Sequence, residues 1–188
     1  MIRPATLHDL PEILEIYAPY VENTTYSFEY TVPSPEAFAQ RFQTVTAQFP
    51  WLVYEEEGAI VGYAYASAPY ERAAYRWCAE PSVYLREHAR GQGIAAGLYA
   101  VLEEILQEQG YVVLYALITA ENHASVRFHE KMGYHLQAEF PDCGFKQGRW
   151  CGLFWMEKRL KIVESPSCFP KPFFSIVQNA ERFSNFFR

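Results

Sequence analysis

The hydropathy pattern of this chain predicts an α+β domain built on one mixed, mostly antiparallel sheet. Three observations carry that reading. Strand-like and helix-like segments follow one another in the order β-α-α-β-β-β-α-β-α-β-β. Two pairs of strands are separated only by turn signals, which makes each pair a hairpin. The length, 188 residues without an internal repeat or a low-complexity run, favours a single domain.

Ile2-Arg3-Pro4-Ala5 reads as a short first strand. Thr6, with Asp9 three residues on, is an N-cap pattern for a helix through Pro11 to about Tyr20, with Leu10, Ile13, Leu14 and Tyr17 on one face. Residues 23–28 are polar and aromatic, a loop or a bent helix end. Ser34-Pro35 opens a second helix with proline at its first position, and Phe38, Phe42 and Val45 recur at helical spacing. Residues 51–55 and 60–65 flank an acidic turn ending at Gly58 and form an antiparallel hairpin. Residues 80–85 make the next strand. A long helix follows Arg90-Gly91-Gln92-Gly93, with Ile94, Leu98, Val101, Leu102, Ile105 and Leu106 on one side and Gly110 as its stop. The apolar run 111–118 has the length of a buried strand. Residues 122–132 are a helix ended by Gly133. Two last strands lie near 134–140 and 150–159, joined by Gly144-Phe145-Lys146-Gln147-Gly148.

Half of the residues are hydrophobic and the formal net charge is −6. A chain of this length buries enough surface to fold without a metal or a disulfide staple. Its acidity gives no global pull toward nucleic acid or an anionic membrane, although a local basic pocket for a phosphate is compatible with it. No apolar run approaches the roughly 20 residues that span a bilayer, and Met1-Ile2-Arg3-Pro4 has no apolar signal core, so the expected setting is cytoplasmic. Cys78, Cys143, Cys151 and Cys168 show no C-x-x-C pattern and no histidine at ligand spacing. They read as small buried or semi-buried residues with no metal role, and Cys143 and Cys151 are placed to face each other across the last hairpin.

The character changes after residue 160. Ser165-Pro166, Pro170 and Pro172 make a linker, and Phe173, Ile176, Val177, Ala180, Phe183 and Phe187 then share one helical face. The expected organisation is a domain over 1–160 and a tail over 161–188 whose apolar face packs on its own domain or on a second copy.

The most informative segment is Val83-Tyr84-Leu85-Arg86-Glu87-His88-Ala89-Arg90-Gly91-Gln92-Gly93-Ile94-Ala95, a strand that enters a Gly-rich turn from which a helix starts at once. Such a turn points free backbone N–H groups outward at the positive end of a helix dipole, which suits a pyrophosphate. No Gly-Lys-Ser/Thr follows, so it is not a Walker loop, and the third glycine of a dinucleotide fingerprint is missing.

Arg90-Gly91-Gln92-Gly93-Ile94-Ala95 resembles the Gln/Arg-x-x-Gly-x-Gly/Ala motif of the GNAT N-acetyltransferases. A second signature of the family matches over Asn122-His123-Ala124-Ser125-Val126-Arg127-Phe128-His129-Glu130-Lys131-Met132-Gly133-Tyr134. Thr24-Thr25-Tyr26-Ser27-Phe28, Tyr75-Arg76-Trp77, Ala79-Glu80-Pro81-Ser82-Val83-Tyr84 and Gly144-Phe145-Lys146 resemble the phosphinothricin N-acetyltransferase branch. The resemblance covers roughly residues 1–160. It implies the GNAT fold, about seven strands flanked by about four helices, with two splayed strands forming an acetyl-CoA cleft.

On that resemblance, Arg90, Gly91, Gln92, Gly93, Ile94 and Ala95 hold the pyrophosphate. The strand backbone of Val83, Tyr84 and Leu85 pairs with the pantetheine arm, and Asn122 and Ser125 bond the same arm; Asn122 reads equally well as a helix cap. Glu80 matches the catalytic glutamate of the branch. Direct transfer needs a neutral amine, and amines with pKa values of about 8 to 10.4 are mostly protonated at pH 7, so a general base is required. His129 stands where many members of the family carry the tyrosine that protonates the departing thiolate. Phe28, Arg72, Tyr75 and Lys146 fall to the acceptor side, Arg72 as a clamp for a carboxylate. The branch usually has Asp two residues after the tryptophan matched by Trp150, where this chain has Gly152.

The implied activity is acetyl transfer from acetyl-CoA to the amine of a small amino-acid-like acceptor of the phosphinothricin or methionine sulfoximine type, by a homodimer without nucleic-acid or membrane partners. The competing readings are a GNAT enzyme for another amine (a peptide N-terminus, a polyamine, an antibiotic) and a non-catalytic acyl-CoA-binding module.

Overall fold

A computed structural model describes residues 1–166 and 168–177. Among them, seven strands form one sheet in the spatial order β1-β2-β3-β4-β5-β7-β6. The chain runs β1 (Ile2–Pro4), α1 (Leu10–Asn23), α2 (Pro35–Thr46), β2 (Trp51–Glu56), β3 (Ala59–Ser67), β4 (Cys78–Leu85), α3 (Ile94–Gln109), β5 (Val113–Thr119), α4 (His123–Lys131), β6 (His135–Lys146), β7 (Arg149–Arg159) and a short α5 (Phe173–Val177). Every pairing is antiparallel except β4 with β5. The fold is therefore α+β with the expected seven strands, and α5 adds a fifth helix to the expected four.

Several starts and stops follow from local chemistry. Ser34 caps α2, its Oγ accepting from the Ala37 N–H at 3.2 Å, with Pro35 at the first helical position. Thr6 and Asp9 enclose a single 3₁₀ turn ahead of α1 instead of capping α1 directly. The Asp9 carboxylate accepts from the Thr6 N–H at 2.7 Å and from Arg3 through two nitrogens at 2.8 Å. α1 runs through Pro19 to Asn23, beyond the expected end at Tyr20, because buried Val21 anchors its last turn.

The sheet is covered on both faces. α1 and α2 bury Ile13, Tyr17, Phe38 and Phe42 against Trp51, Val53 and Tyr63. α3 buries Leu98, Leu102, Ile105 and Leu106 on the opposite face against Leu52, Ala64, Leu114 and Ala116. Alternation along the strands separates the two sets.

The described part of the tail lies on the domain. Lys171 N–H donates to the Gln109 carbonyl at 2.8 Å, Phe173 N–H donates to the Gln48 carbonyl at 3.0 Å, and Phe173 is buried in the α3 core. The side chain of Val177 and residues Ala180, Phe183 and Phe187 lie outside the described residues.

Two expectations are corrected. The last hairpin turns at Gln147-Gly148, and β6 continues through the segment expected to be a loop, absorbing extra residues between Phe140 and Gly144. The four cysteines are free: Cys151 is buried, but Cys143 sits in that irregular stretch and is exposed, as is Cys168, so Cys143 does not pair with Cys151.

Candidate active site

β4 and β5 are hydrogen-bonded at Cys78↔Val113 and Ala79↔Leu114 and then part. β3 stays on the far edge of β4 to Leu85, and β7 stays on the far edge of β5 to Thr119. A wedge therefore opens in the sheet, and Glu80 is its first residue. The register puts Glu80, Ser82 and Tyr84 on the same face as Tyr115, Leu117 and Thr119, the face covered by α1, where Tyr84 meets the rings of Tyr17 and Tyr20 at 5.1 Å.

Glu80 and His129 both line this cleft. The Glu80 carboxyl has no ionic partner among the described residues, and burial raises its pKa above the ordinary carboxylate range. That suits a group that must take a proton near neutrality.

His129 is 4% exposed, and burial lowers its pKa to about 4, so its ring is neutral. Nδ1 lies 2.8 Å from the carbonyl oxygen of Ser125. A carbonyl only accepts, so Nδ1 carries the ring proton and Nε2 is left as an acceptor. The Tyr99 hydroxyl stands 3.0 Å from Nε2 and 3.1 Å from the Pro81 carbonyl, one proton between two acceptors. In this tautomer Nε2 has no proton to give a thiolate, and the single Tyr99 proton, on α3, is already directed at these two acceptors.

The turn from β4 to α3 holds Gly91 at φ +76° and Gly93 at φ +82°, values that side-chain-bearing residues adopt only with strain. The N–H groups of Gly91, Gln92 and Gly93 donate to no acceptor among the described residues, and they lead into the first turn of α3, where Ile94 and Ala95 supply two further amides. The Arg90 guanidinium lies 5.3 Å from the Tyr20 ring centre.

Of the three strand residues expected to pair with a ligand, Val83 alone has open main-chain groups. Outward groups alternate along β4 with those that bond β3. Tyr84 is opposite Tyr63 in that ladder and enters the cleft through its side chain. The Leu85 N–H and carbonyl are taken by the Tyr20 hydroxyl at 3.2 and 2.7 Å. Asn122 caps α4 through Oδ1, which accepts from the Ser125 N–H at 3.1 Å, and its amide nitrogen is left over. Capping and ligand binding use different atoms and are compatible.

The residues assigned to the acceptor side do not gather in the cleft. Arg72 is exposed, without an ion pair among the described residues, in the segment between β3 and β4. Tyr75 packs on Tyr70, which stacks on Trp155 beside Tyr115, on the same face as Glu80. Phe28 lies over Gly144, where an added Cβ would come within 2.6 Å of its ring. Lys146 is 4% exposed, and its ammonium donates to the carbonyls of Val21 and Ser27, both at 2.6 Å. It braces the loop after α1 and is not among the residues that line the cleft of Glu80. Gly152 sits in β7 with Ala120 and Pro141 around it.

Tyr20, Tyr26, Tyr99 and Thr119 also line the cleft and were not singled out from the sequence. Tyr99 lies in the long helix but outside the residues read as its apolar side; Thr119, just past the apolar run 111–118, gave no signal.

Comparison with known proteins decides the family. The Acetyltransferase (GNAT) domain matches residues 2–155. The chain belongs to the GNAT acetyltransferase family. Phosphinothricin N-acetyltransferase of Streptomyces viridochromogenes is 34% identical over 165 residues, 88% of this chain and 90% of that protein. L-methionine sulfoximine/L-methionine sulfone acetyltransferase of Pseudomonas aeruginosa is 37% identical over 171 residues, 87% of this chain and 96% of that protein. The crystal structure of a GNAT superfamily phosphinothricin acetyltransferase from Sinorhizobium meliloti in complex with acetyl-CoA superposes with a TM-score of 0.83 at 36% identity, covering 91% of this chain and 92% of that one. This GNAT protein is an acetyltransferase with acetyl-CoA as cosubstrate, and its residues fit that ligand: unclaimed amides in a Gly-rich turn, a sheet wedge with one open main-chain position, and a raised-pKa carboxyl at the apex of the wedge.

Proposed function

We propose that this chain moves the acetyl group of acetyl-CoA directly to the primary amine of a small amino-acid-like acceptor of the phosphinothricin or methionine sulfoximine type, with Glu80 as the general base. The observation that carries the reading is the position of Glu80, the first residue of the wedge, desolvated, and on the face that carries Tyr70, Tyr75 and Trp155. The amides of residues 91–95 and Arg90 take the pyrophosphate. Val83 main chain, the Asn122 amide nitrogen and Ser125 take the pantetheine arm. Glu80 removes a proton from the acceptor ammonium, and the freed nitrogen lone pair attacks the thioester carbonyl. The C–N bond forms as the C–S bond breaks, the proton left on the acetylated nitrogen passes to the departing thiolate, and Glu80 then gives its own proton to solvent. Arg72 clamps the acceptor carboxylate.

The reading includes a cytoplasmic setting and a homodimer, whose surface would cover the exposed rings of Phe140, Phe145 and Trp150 on the last hairpin; light scattering reads the second. The test of function is an acceptor screen with acetyl-CoA and free-thiol detection over amino acids, phosphinothricin, methionine sulfoximine, polyamines and short peptides. Turnover confined to the amino-acid-like amines supports the reading, and preference for a polyamine or a peptide removes it. Arg72→Ala is expected to raise KM for the acceptor at least tenfold while KM for acetyl-CoA moves less than twofold; equal effects on both would reject the clamp.

A further inference from the structure

Among the described residues, three buried side-chain polar atoms have no hydrogen-bond partner: Trp51 Nε1, Gln109 Oε1 and Thr119 Oγ1. The first lies in the packed stack of Trp51, Tyr63 and Tyr65, and the second at the joint between α3 and the tail. Thr119 alone lines the cleft, and it is 3% exposed. Hiding a hydroxyl without a partner costs stability, so an orphan of this kind at the wall of a ligand cleft calls for a ligand atom.

Its place along the wedge says which part of the ligand. Counting on from Cys78↔Val113 and Ala79↔Leu114, Glu80 falls level with Tyr115 and Tyr84 falls level with Thr119. Thr119 is thus four residues beyond the reaction level, about 13 Å at roughly 3.3 Å per residue, in the direction of the turn at Gly91 and Gly93. It also precedes the α4 cap, Asn122, by three residues. A ligand that reaches from Glu80 to that turn presents at this depth neither its acyl carbon nor its phosphates but the amides between them.

We propose that the Thr119 hydroxyl is a hydrogen-bonding contact for an amide of the pantetheine arm of acetyl-CoA. A hydroxyl donates or accepts, so it serves either an amide carbonyl or an amide N–H. The contact rests on the acetyl-CoA reading of the cleft and adds to it a side chain on the β5 wall, opposite the open main chain of Val83.

The test is calorimetric titration of the full chain with CoA, with no turnover involved. Thr119→Val keeps the shape and removes the hydroxyl; it should weaken CoA binding about three- to tenfold. Thr119→Ser should stay within twofold of the parent. Titration with adenosine 3′,5′-bisphosphate, which lacks the arm, should give the same Kd for the parent and Thr119→Val. The melting temperature of unliganded Thr119→Val should equal or exceed that of the parent, because the variant deletes an unpaired buried hydroxyl. Unchanged CoA binding in Thr119→Val overturns the proposal. So does an equal loss with the bisphosphate, which would place the contact at the phosphates. A lowered melting temperature with unaltered CoA affinity would make the hydroxyl structural. A parent chain that shows no heat with CoA would overturn the acetyl-CoA reading itself, an outcome separate from any of these.

Discussion

At the scale of single residues, the cleft is governed by how burial treats charge. Glu80 has its pKa raised by desolvation, so its ionised form is disfavoured in the fold and easily reprotonated by an ammonium. Glu80→Gln should lower kcat by about 10²-fold or more at pH 7, the range of a lost general base, with CoA affinity unchanged. In the parent, kcat/KM should fall as pH drops through the raised Glu80 pKa, and that acid limb should vanish in the variant. Because a raised carboxyl pKa means that ionisation opposes folding as pH rises, Glu80→Gln should melt no lower than the parent at neutral pH. A stopped-assay pH series and thermal melts read both. His129 shows the reverse sign. Its pKa falls from 6.5 to about 4, so the folded protein holds it neutral while the unfolded chain protonates it. Its contribution is full above pH 6.5 and is lost as pH falls toward 4, up to about 3 kcal/mol at 1.36 kcal/mol per unit. Denaturant unfolding at pH 7 and at pH 4.5 should show that loss, and His129→Gln should flatten it; a parent and variant with the same pH dependence would reject the buried neutral ring. The sequence placed Glu80 and His129 in the cleft through the family resemblance alone. The tautomer was not legible, since it depends on the Ser125 carbonyl one helical turn back and on Tyr99 from another helix.

At the scale of elements, the last hairpin and the loop after α1 act as one piece. The Lys146 ammonium holds Val21 and Ser27, Gln147 Nε2 donates to the Glu22 carbonyl at 3.3 Å, and the Tyr30 hydroxyl donates to the Phe145 carbonyl. Thr25 and Arg149 meet on the Glu121 carboxylate at 3.0 and 2.6 Å. This stitching fixes the loop that carries Tyr26 into the cleft. Lys146→Met removes the donor and leaves two carbonyls unpaired, a loss of about 2 kcal/mol or more. It should raise acceptor KM several-fold while CoA affinity measured by calorimetry stays within twofold; a variant that loses stability with unchanged acceptor KM would show that the loop does not shape the acceptor site. Most elements were legible because their signals are local: Ser34-Pro35 for a helix start, Gly110 for a helix end, the apolar run before Thr119 for a strand. The last hairpin was not, because Gly144 reads as a turn residue when its actual cause is the Phe28 ring lying against it from over a hundred positions away.

At the scale of the molecule, the wedge is a property of the sheet that neither strand shows by itself. The family resemblance implied two splayed strands, and the register shows where they part: pairing stops after Ala79 and Leu114. The sequence order of elements was enough for seven strands in a mixed sheet, since hairpins announce themselves through short turns, but the branching of two central strands is set by what packs on either side: Tyr99 of α3 bonds the Pro81 carbonyl, and Tyr20 of α1 caps Leu85. The tail is the other long-range feature. Gln109 Nε2 donates to the carbonyls of Gln48 and Lys171 at 2.8 and 2.7 Å, tying the end of α3 to the end of α2 and to the tail, and Phe173 then inserts at 3% exposure. The GNAT domain match ends at residue 155, and Lys171 and Phe173 lie beyond it. Phe173→Ala should cost about 3 kcal/mol, within the range for emptying a buried aromatic site, and lower the melting temperature by about 6–12 °C. The joint residues Gln48, Gln109, Lys171 and Phe173 are not among those that line the cleft of Glu80. The kinetic constants of Phe173→Ala at 20 °C should therefore stay within twofold of the parent. A variant with an unaltered melting temperature would mean that the tail does not dock in solution, whereas a fall in kcat at 20 °C would tie the tail to the wedge through α3.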